Sequence, residues 1–221
     1  MRRPILGASI ATALATAILV ALGIWQIERM QWKQGLLAQI DRAEHVPPVP
    51  LGAANPRLFA RVQAQGVLRG DHLALYGAEV RGMHMGAQAM QLLDRPGSRP
   101  VLVVLGWVPT DAGLPHPQSG PVSVTGYVRL PEPSGWLSAA DDPEQLRFYA
   151  LNPFVIGPAL GASNVTPYSL VVLGQAAGPD RPQPADALPR PVNNHLQYAF
   201  TWFGLAAALL GVFAVWVRGR A

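Results

Sequence analysis

Two long apolar runs without charged residues lie near the two ends of the chain. Ile5–Ile27 comprises 23 residues and Tyr198–Val217 comprises 20, and neither contains Asp, Glu, Lys or Arg. A helix of 20 residues is about 30 Å long, enough to cross the hydrocarbon core of a bilayer. The pattern therefore predicts a hairpin of two transmembrane helices, residues 1–27 and 193–217, with a short tail at 218–221.

The first run must be distinguished from a secretory signal peptide, which also has an arginine-rich start and an apolar middle. It is longer than a usual signal-peptide core, and Trp25-Gln26-Ile27-Glu28-Arg29 stands where a small-residue cleavage site would be expected. We interpret the run as an uncleaved anchor. Its helix is expected to continue as a juxtamembrane segment, residues 28–45, which Pro47-Pro48 then ends.

Small residues recur at helical spacing in both runs and predict close contact between the two helices. The alternative is that small residues are simply abundant in an alanine-rich chain. The residues concerned are Gly7, Ala11 and Ala15 in the first run and Gly204, Ala208 and Gly211 in the second.

Between the runs the pattern changes to short strand-like stretches separated by turns rich in Gly, Pro and Asp. Over residues 46–177 it predicts a β-rich outer domain, barrel-like or sandwich-like, in an α+β class with a short helix ending near 157–163. A proline-rich segment, residues 178–192, is expected to return the chain to the membrane as an extended strap. The predicted strands are Arg61–Leu68, His72–Tyr76, Pro100–Val108, Val122–Leu130 and Tyr168–Leu173.

The net charge of +4 is located entirely at the two ends of the chain. Arg2, Arg3, Arg218 and Arg220 form one pair at each terminus, and the other 13 basic residues balance the 13 acidic ones. By the positive-inside rule, both termini are expected in the cytoplasm and the outer domain on the opposite, periplasmic side. No basic patch is visible on the middle segment, which argues against nucleic-acid binding.

The residue types and motifs exclude several classes of chemistry. The chain has no cysteine, so disulfides, thiolate metal sites and cysteine nucleophiles are excluded. It also lacks a Gly-Xaa-Ser-Xaa-Gly elbow, a phosphate loop, a dinucleotide fingerprint and a His-Glu-Xaa-Xaa-His motif. The residues therefore form no convincing catalytic constellation.

His195 is the strongest candidate for a binding residue, because it stands where the second apolar run begins. Asn194 is the expected N-cap, with Gln197 reaching back as in a capping box, which puts His195 in the first helical turn. The positive end of the helix dipole disfavours a protonated imidazole there, and a neutral ring nitrogen can bind a haem iron. The alternative is an interfacial histidine that only forms hydrogen bonds.

Aromatic and basic residues stand near the depth of this histidine. Tyr198 and Trp202 follow it on the same predicted helical face, and Trp25 and Gln26 lie at a matching depth on the first helix. Arg29 and Lys33 stand just above, where they could pair with haem propionates. The alternatives are an ordinary interfacial aromatic belt and solvated juxtamembrane charges.

A second candidate site is the run Met83-His84-Met85, with Met90 nearby. Thioether sulfur beside imidazole suits Cu(I). In a strand, however, alternate side chains point to opposite faces, so the three residues cannot all bind one ion. Core or loop methionines are the alternative.

Three stretches resemble signatures of the surfeit locus protein 1 family, which assists the assembly of cytochrome c oxidase. The N-terminal and C-terminal stretches are specific, and their order and spacing agree with the family over nearly the whole chain. The stretches are Gly23–Arg29 followed by Trp32-Lys33 and Leu36-Leu37, Val101–Pro109 in the centre, and Asn193–Ala206 near the C-terminus.

The outer domain departs from the family pattern. Leu105 stands where the central strand of the family usually has an arginine, and Gly86–Leu93 keeps little of another family segment. The resemblance therefore does not define the partner contacts of this domain.

The resemblance implies a chaperone-like membrane protein without turnover, which binds haem a, stably or transiently, and presents it to oxidase subunit I. The expected partners are subunit I, the haem a synthesis machinery and membrane lipid. His195 matches the implicated iron ligand of the family, and Trp25 and Arg29 match residues of its first signature. Mitochondrial relatives carry a transit peptide, whereas this chain starts almost directly with its first span, so a bacterial inner membrane is expected.

Two other functions stay open from the sequence. One is a copper-handling factor for the same oxidase that uses Met83, His84 and Met85. The other is a cofactor-free membrane scaffold that binds oxidase subunits.

Overall fold

The computed structural model of the chain describes residues 2–52, 55–111, 113–133, 135, 138–175, 178 and 181–220. The helices within these ranges are α1 (Arg2–His45), α2 (Pro153–Ala159) and α3 (His195–Arg218). The strands are β1 (Val49–Pro50), β2 (Arg61–Leu68), β3 (Ala74–Arg81), β4 (His84–Asp94), β5 (Val101–Pro109), β6 (Gly120–Arg129), β7 (Arg147–Phe148) and β8 (Ser169–Val172).

The chain divides into two compact units. The helix pair consists of Met1–Asp41 and Arg190–Ala221, and the sheet domain consists of Arg42–Pro189. The helix pair thus unites the two ends of the chain, whereas the sheet domain is formed by one continuous middle segment. The expected coarse organisation, a sheet-rich domain between two apolar helices, is confirmed.

Helix α1 is one uninterrupted helix of 44 residues, about 66 Å long at 1.5 Å per residue. It continues past Glu28 without a break, since no proline occurs between Pro4 and Pro47 to remove a backbone donor. It ends at His45, as expected before Pro47-Pro48, because a residue that precedes proline is disfavoured in the helical conformation.

Both α1 and α3 are long and apolar enough to cross a membrane. Their large apolar side chains are exposed, for example Leu14 at 62% and Phe200 at 70%. Contiguous apolar surface of this kind is typical of an interaction or membrane surface. The helix pair is therefore suited to an apolar environment.

The strands form one sheet in the order β1-β2-β6-β8-β5-β4-β3-β7. The end of β2 also pairs with β4, through Val67↔Asp94 and Leu68↔Leu93. Hydrogen bonding therefore runs through β2, β6, β8, β5 and β4 and returns to β2. The pairs β1–β2, β3–β7 and β5–β8 are parallel, and the other pairs are antiparallel.

Strand β5 lies at the centre of the packing and is buried throughout Val101–Val108. Its alternate residues Val101, Val103 and Leu105 join an apolar cluster with residues of β2, β4, β6 and β8. Complete burial of a side chain of this size stabilises a fold by roughly 1.5–3 kcal/mol. Leu105 stands where the family that the sequence resembles usually has an arginine, and it is a core residue of this domain.

Two strand predictions differ from the structure. Strand β3 starts at Ala74 and extends to Arg81, beyond the predicted end at Tyr76, and β4 was not predicted at all. The sequence of β4, HMGAQAMQLLD, contains no β-branched or aromatic residue apart from its first histidine, so its local propensity for strand is low. Its backbone hydrogen bonds with β2, β3 and β5 stabilise the strand conformation that the local sequence does not favour.

The short helix α2 ends at Ala159, within the range predicted for its end, 157–163. Its start was not predicted. Asn152 is its N-cap, and the Asn152 side chain accepts a hydrogen bond from the Phe154 backbone N–H at 3.1 Å. Pro153 occupies the first turn, where its missing N–H costs nothing. These two residues therefore start α2 at Pro153.

The proline-rich strap is partly bonded to the sheet. Trp107 and Gln183 exchange two backbone hydrogen bonds of 2.8 Å, and the Ala185 N–H donates to the Val172 carbonyl at 3.1 Å. Residues 183–185 of the strap are therefore held against the sheet by backbone hydrogen bonds. Residues 179 and 180 of the strap lie outside the described residues.

Candidate functional site: the outer end of the helix pair

Helices α1 and α3 contact each other at Gly23. A Cβ atom added to Gly23 would lie 2.6–2.9 Å from three ring carbons of Phe203, so a larger residue cannot fit without moving the ring. Ala199 and Ala206 of α3 are buried as well. Small residues therefore do allow the two helices to contact each other.

The residues that make this contact are not the predicted ones. Gly7, Gly204 and Gly211 have open space where a Cβ would project. The predicted spacing of four residues is common in alanine-rich helices, and it does not by itself determine which face meets the partner helix. The prediction of contact through these three glycines is wrong.

Gln26 lies about one turn from Gly23 along α1 and forms a hydrogen bond with His195, the candidate metal-binding residue. The Gln26 side chain is buried, with 9% exposed, and its Oε1 lies 2.7 Å from Nδ1 of His195. An amide oxygen has no proton, so the ring must donate through Nδ1–H. A neutral His195 then carries its free lone pair on Nε2, which is the form that can bind a metal.

The segment that precedes α3 is bonded side by side to α1. Residues 193, 192 and 190 contact positions on α1 that lie successively farther from Gln26. Residues 190–193 therefore run along α1, and their contacts determine where along α1 the helix α3 starts. The contacts join Asn193 Nδ2 to the Met30 carbonyl (3.4 Å), Lys33 Nζ to the Val192 carbonyl, and Arg190 to Asp41 (2.7 Å).

The predicted capping box at the start of α3 is not formed. Asn194 is the N-cap, as expected, but its side chain makes no cap hydrogen bond. With ψ of 9°, Asn194 lacks the extended conformation that directs a cap side chain toward the N–H groups of the first turn. The ordering of the helix start therefore depends on the contacts with α1.

The predicted aromatic residues lie in different surroundings. Trp25 and Tyr198 are 52% and 55% exposed, and Trp202 is half-buried, with an Nε1 that is buried without a hydrogen-bond partner. Tyr198 precedes the buried Ala199 by one residue, and a helix turns by about 100° per residue. It therefore points away from the buried face of α3.

The two predicted basic residues have contacts of their own. The Arg29 guanidinium lies 4.3 Å from the ring centroid of Trp32, a cation–π arrangement on the exposed part of α1. The Lys33 ammonium donates to the Val192 carbonyl. Lys33 thus has a structural role, because it positions the segment that precedes His195.

Sequence reasoning placed Gln26 at the depth of His195 but did not predict their hydrogen bond, and it missed Asn193 as a member of this site. Both are polar residues at the polar ends of apolar runs, and a buried amide requires a hydrogen-bond partner. That requirement is the signal that could have identified Gln26 as the partner of His195.

The methionine–histidine run forms the tip of the β3–β4 hairpin. Gly82 has φ of 61°, as required at the first position of a tight two-residue turn, and Met83 is 95% exposed. The His84 Nδ1 lies 3.0 Å from Asp111 Oδ2, while Met85 follows it on the opposite face of the strand. Within the described ranges no group of three or more His, Cys, Asp or Glu residues could hold a metal ion.

The sheet domain contains a cavity of about 350 Å³ that includes two tyrosines in its lining. Burial raises the pKa of Tyr127. Burial, followed by the negative charge of Glu132, also raises the pKa of Tyr76, whose hydroxyl lies 3.4 Å from a Glu132 carboxylate oxygen. Both phenols are thus favoured in their neutral form by the fold.

Comparison of the sequence with known proteins shows similarity to one family. The model of the SURF1 family matches residues 13–207, a range that contains both Gln26 and His195. Mouse surfeit locus protein 1 is 26% identical over 220 residues, which cover 88% of this chain and 71% of the mouse protein.

Two further relatives match over similar lengths. A SURF1-like protein of Rickettsia bellii is 25% identical over 91% of this chain and 87% of its own length. A SURF1-like protein of Monosiga brevicollis is 29% identical over 89% of this chain and 81% of its own length.

Proposed function

We propose a function from one premise: this chain belongs to the SURF1 family, generally known as cytochrome oxidase assembly factors. On that premise, the chain is an assembly factor for a haem-copper cytochrome c oxidase. It binds haem a through His195 and assists the insertion of haem a into oxidase subunit I. It takes its cargo from the haem a synthesis machinery.

The observation that carries this proposal is the hydrogen bond between His195 Nδ1 and Gln26 Oε1 across the two helices. Metal-ligating histidines almost always donate the other ring N–H to an oxygen acceptor, which orients the ring and raises its basicity. The donor set therefore fits a haem iron, with Nε2 of His195 as the axial ligand.

The position of the site suits a cargo that must leave again. Gly23 and Phe203 bring the helices into contact about one turn below Gln26, so the ligand nitrogen belongs to the outer end of the pair. A haem held at the end of the helix pair is less enclosed than one in a buried pocket, which favours a short residence time. Trp25, Tyr198 and Trp202 provide aromatic surface for a porphyrin, and Arg29 and Lys33 provide charge for its propionates.

In this proposal the helix pair spans a bacterial inner membrane, with both termini in the cytoplasm and the sheet domain in the periplasm. The arginine pairs at the two ends support that orientation. Because the chain has no cysteine, single cysteines can report it. His116→Cys should react with an impermeant maleimide in intact spheroplasts, and Arg220→Cys only after lysis. The reverse pattern would exclude this topology.

The haem proposal is tested on protein purified from cells that make haem a. The pyridine-haemochrome spectrum measures haem per protein for the wild type, for His195→Ala, and for His116→Ala as a matched control on an exposed histidine. We expect wild type and His116→Ala to carry equal haem and His195→Ala to fall to background, because the axial ligand is lost.

Two other outcomes would decide against the proposal. Equal haem in all three proteins would remove His195 as the ligand. Haem in none of them, together with normal oxidase assembly supported by His195→Ala, would favour a cofactor-free scaffold.

A further inference from the structure

We propose that Gln26 is a positioning residue that selects the tautomer of His195 in which Nε2 is free to bind iron. This inference rests on the proposed function and adds a residue that acts through the ligand, without touching the iron. It concerns the ring proton, which the amide oxygen of Gln26 holds on Nδ1.

The contact has the geometry that such a role requires. The separation of 2.7 Å between Oε1 and Nδ1 is that of a short hydrogen bond. Gln26 is also buried, so water cannot readily replace the acceptor. Leaving a buried amide or ring N–H unpaired is energetically costly, which holds the two side chains together.

The helices around the contact keep it in place. On one side of the Gln26–His195 contact, the Phe203 ring packs against Gly23 and limits how closely the helices approach. Asn193, which donates to the Met30 carbonyl, ties α3 to α1 on the outer side. Gln26 therefore meets the ring between two interhelical contacts, and its orientation follows from the packing.

The tautomer determines whether the ring can act as a ligand here. The neutral side chain of a histidine in water prefers the proton on Nε2, and a ring nitrogen that carries a proton cannot bind a metal. An acceptor at Nδ1 reverses that preference, because the hydrogen bond at one ring nitrogen sets the state of the other. Gln26 thus prepares the site before haem arrives.

The first experiment measures the tautomer without haem. Nitrogen NMR is recorded on histidine-labelled full-length protein in detergent, and the His195 signal among the five histidines is assigned by its loss in His195→Ala. We expect the proton on Nδ1 in the wild type. In Gln26→Leu, which keeps a similar size but has no acceptor, it should move to Nε2.

The matched control for this measurement is Gln34→Leu, an exposed glutamine of the same helix, which should leave the tautomer unchanged. A wild-type ring with its proton on Nε2 would overturn the inference. So would a His195 tautomer that is the same in wild type and in Gln26→Leu.

The second experiment uses haem-loaded protein and reads the iron–histidine bond. Removing the acceptor lowers the basicity of the ligand, so the iron–histidine stretching frequency in the resonance Raman spectrum should fall in Gln26→Leu. Haem affinity should fall about 10- to 100-fold, as is typical when a partner of a metal-ligating histidine is removed. Gln26→Glu offers a stronger acceptor and should raise the frequency, a change that mere loss of packing would not produce.

The outcomes separate this inference from the proposed function. If wild type binds haem and His195→Ala does not, but the Raman frequency is the same in both Gln26 variants, only the role of Gln26 is rejected. If His195→Ala binds haem like the wild type, the proposed ligand itself is rejected.

Discussion

The two units of this protein treat their apolar side chains in opposite ways. In the sheet domain, Leu93 is completely buried within a cluster that joins five strands. In the helix pair, Leu14 is 62% exposed, as are comparable side chains along both helices. The sheet domain therefore completes its own core, whereas the helix pair depends on an apolar environment to cover its surface.

This difference explains where specific chemistry is found in the helix pair. Between helices in lipid, the hydrophobic effect provides little attraction, so packing and hydrogen bonds determine how the helices pair. In the described residues of this unit, side-chain hydrogen bonds join the two chain segments at Gln26, Met30, Lys33 and Asp41. The polar contacts that fix the pairing are thus also the ones that orient His195.

The largest expected effect is a difference in the free energy of unfolding between one leucine substitution in the sheet domain and one in the helix pair. Leu93→Ala leaves a cavity in the closed core of the sheet domain and should lower the free energy of unfolding by about 2–5 kcal/mol. Leu14→Ala removes an exposed side chain and should change it by less than about 0.5 kcal/mol. Urea unfolding of the full chain in detergent, followed by tryptophan fluorescence, measures both. Equal effects would mean that the two units do not differ in this way.

A second prediction concerns the glycine contact within the helix pair. Gly23→Leu inserts a side chain where Phe203 already lies, and overpacking of this kind costs about 1–3 kcal/mol. It should also separate the helices, so the distance between spin labels on Ile18→Cys and Leu210→Cys should increase. Both label positions are exposed.

The matched control for this prediction is Gly7→Leu, since Gly7 has open space where its Cβ would project. It should leave the distance between the labels unchanged. An increase in both variants, or in neither, would contradict the assignment of Gly23 as the contact.

The smallest effect is expected from pH in the sheet domain. Because burial raises the pKa of Tyr127 above its usual value of 10.0, the unfolded chain loses the phenol proton first as pH rises. The folded state then binds more protons than the unfolded state, so stability falls above about pH 10. Tyr127→Phe should lose less stability than the wild type between about pH 9 and pH 11, measured by urea unfolding. An unchanged loss would exclude a contribution from this phenol.

Much of the fold follows from local sequence, and the exceptions have a physical cause. The strand Arg61–Leu68 was predicted with the bounds that the structure has, and β5, β6 and β8 within two residues at each end, because their patterns are rich in β-branched residues. Strand β4 could not be predicted in this way. Its Ala, Met and Gln residues form a strand only because β3 and β5 flank it and β2 pairs with its end.

The candidate site shows a similar limit. His195 was found from its position at the start of an apolar run and from the family signature. Its partner Gln26 is 169 residues away in sequence. The two were placed at the same depth, but no local pattern indicates which side of α1 faces the ring. The exposed face of Tyr198 could not be foreseen either, because it depends on which side of α3 packs against α1.

The short outermost strands of the sheet affect how readily copies of this protein associate through their strand edges. Free strand edges recruit other strands and lead to aggregation. Here the outermost strands of the described sheet, β1 and β7, are two residues long, and Pro50 in β1 lacks a backbone donor. On the side away from β6, strand β2 is covered by β1 near one end and by β4 at the other. At β1, at β7 and at the two ends of β2, neighbouring copies therefore find little free backbone with which to cross-pair.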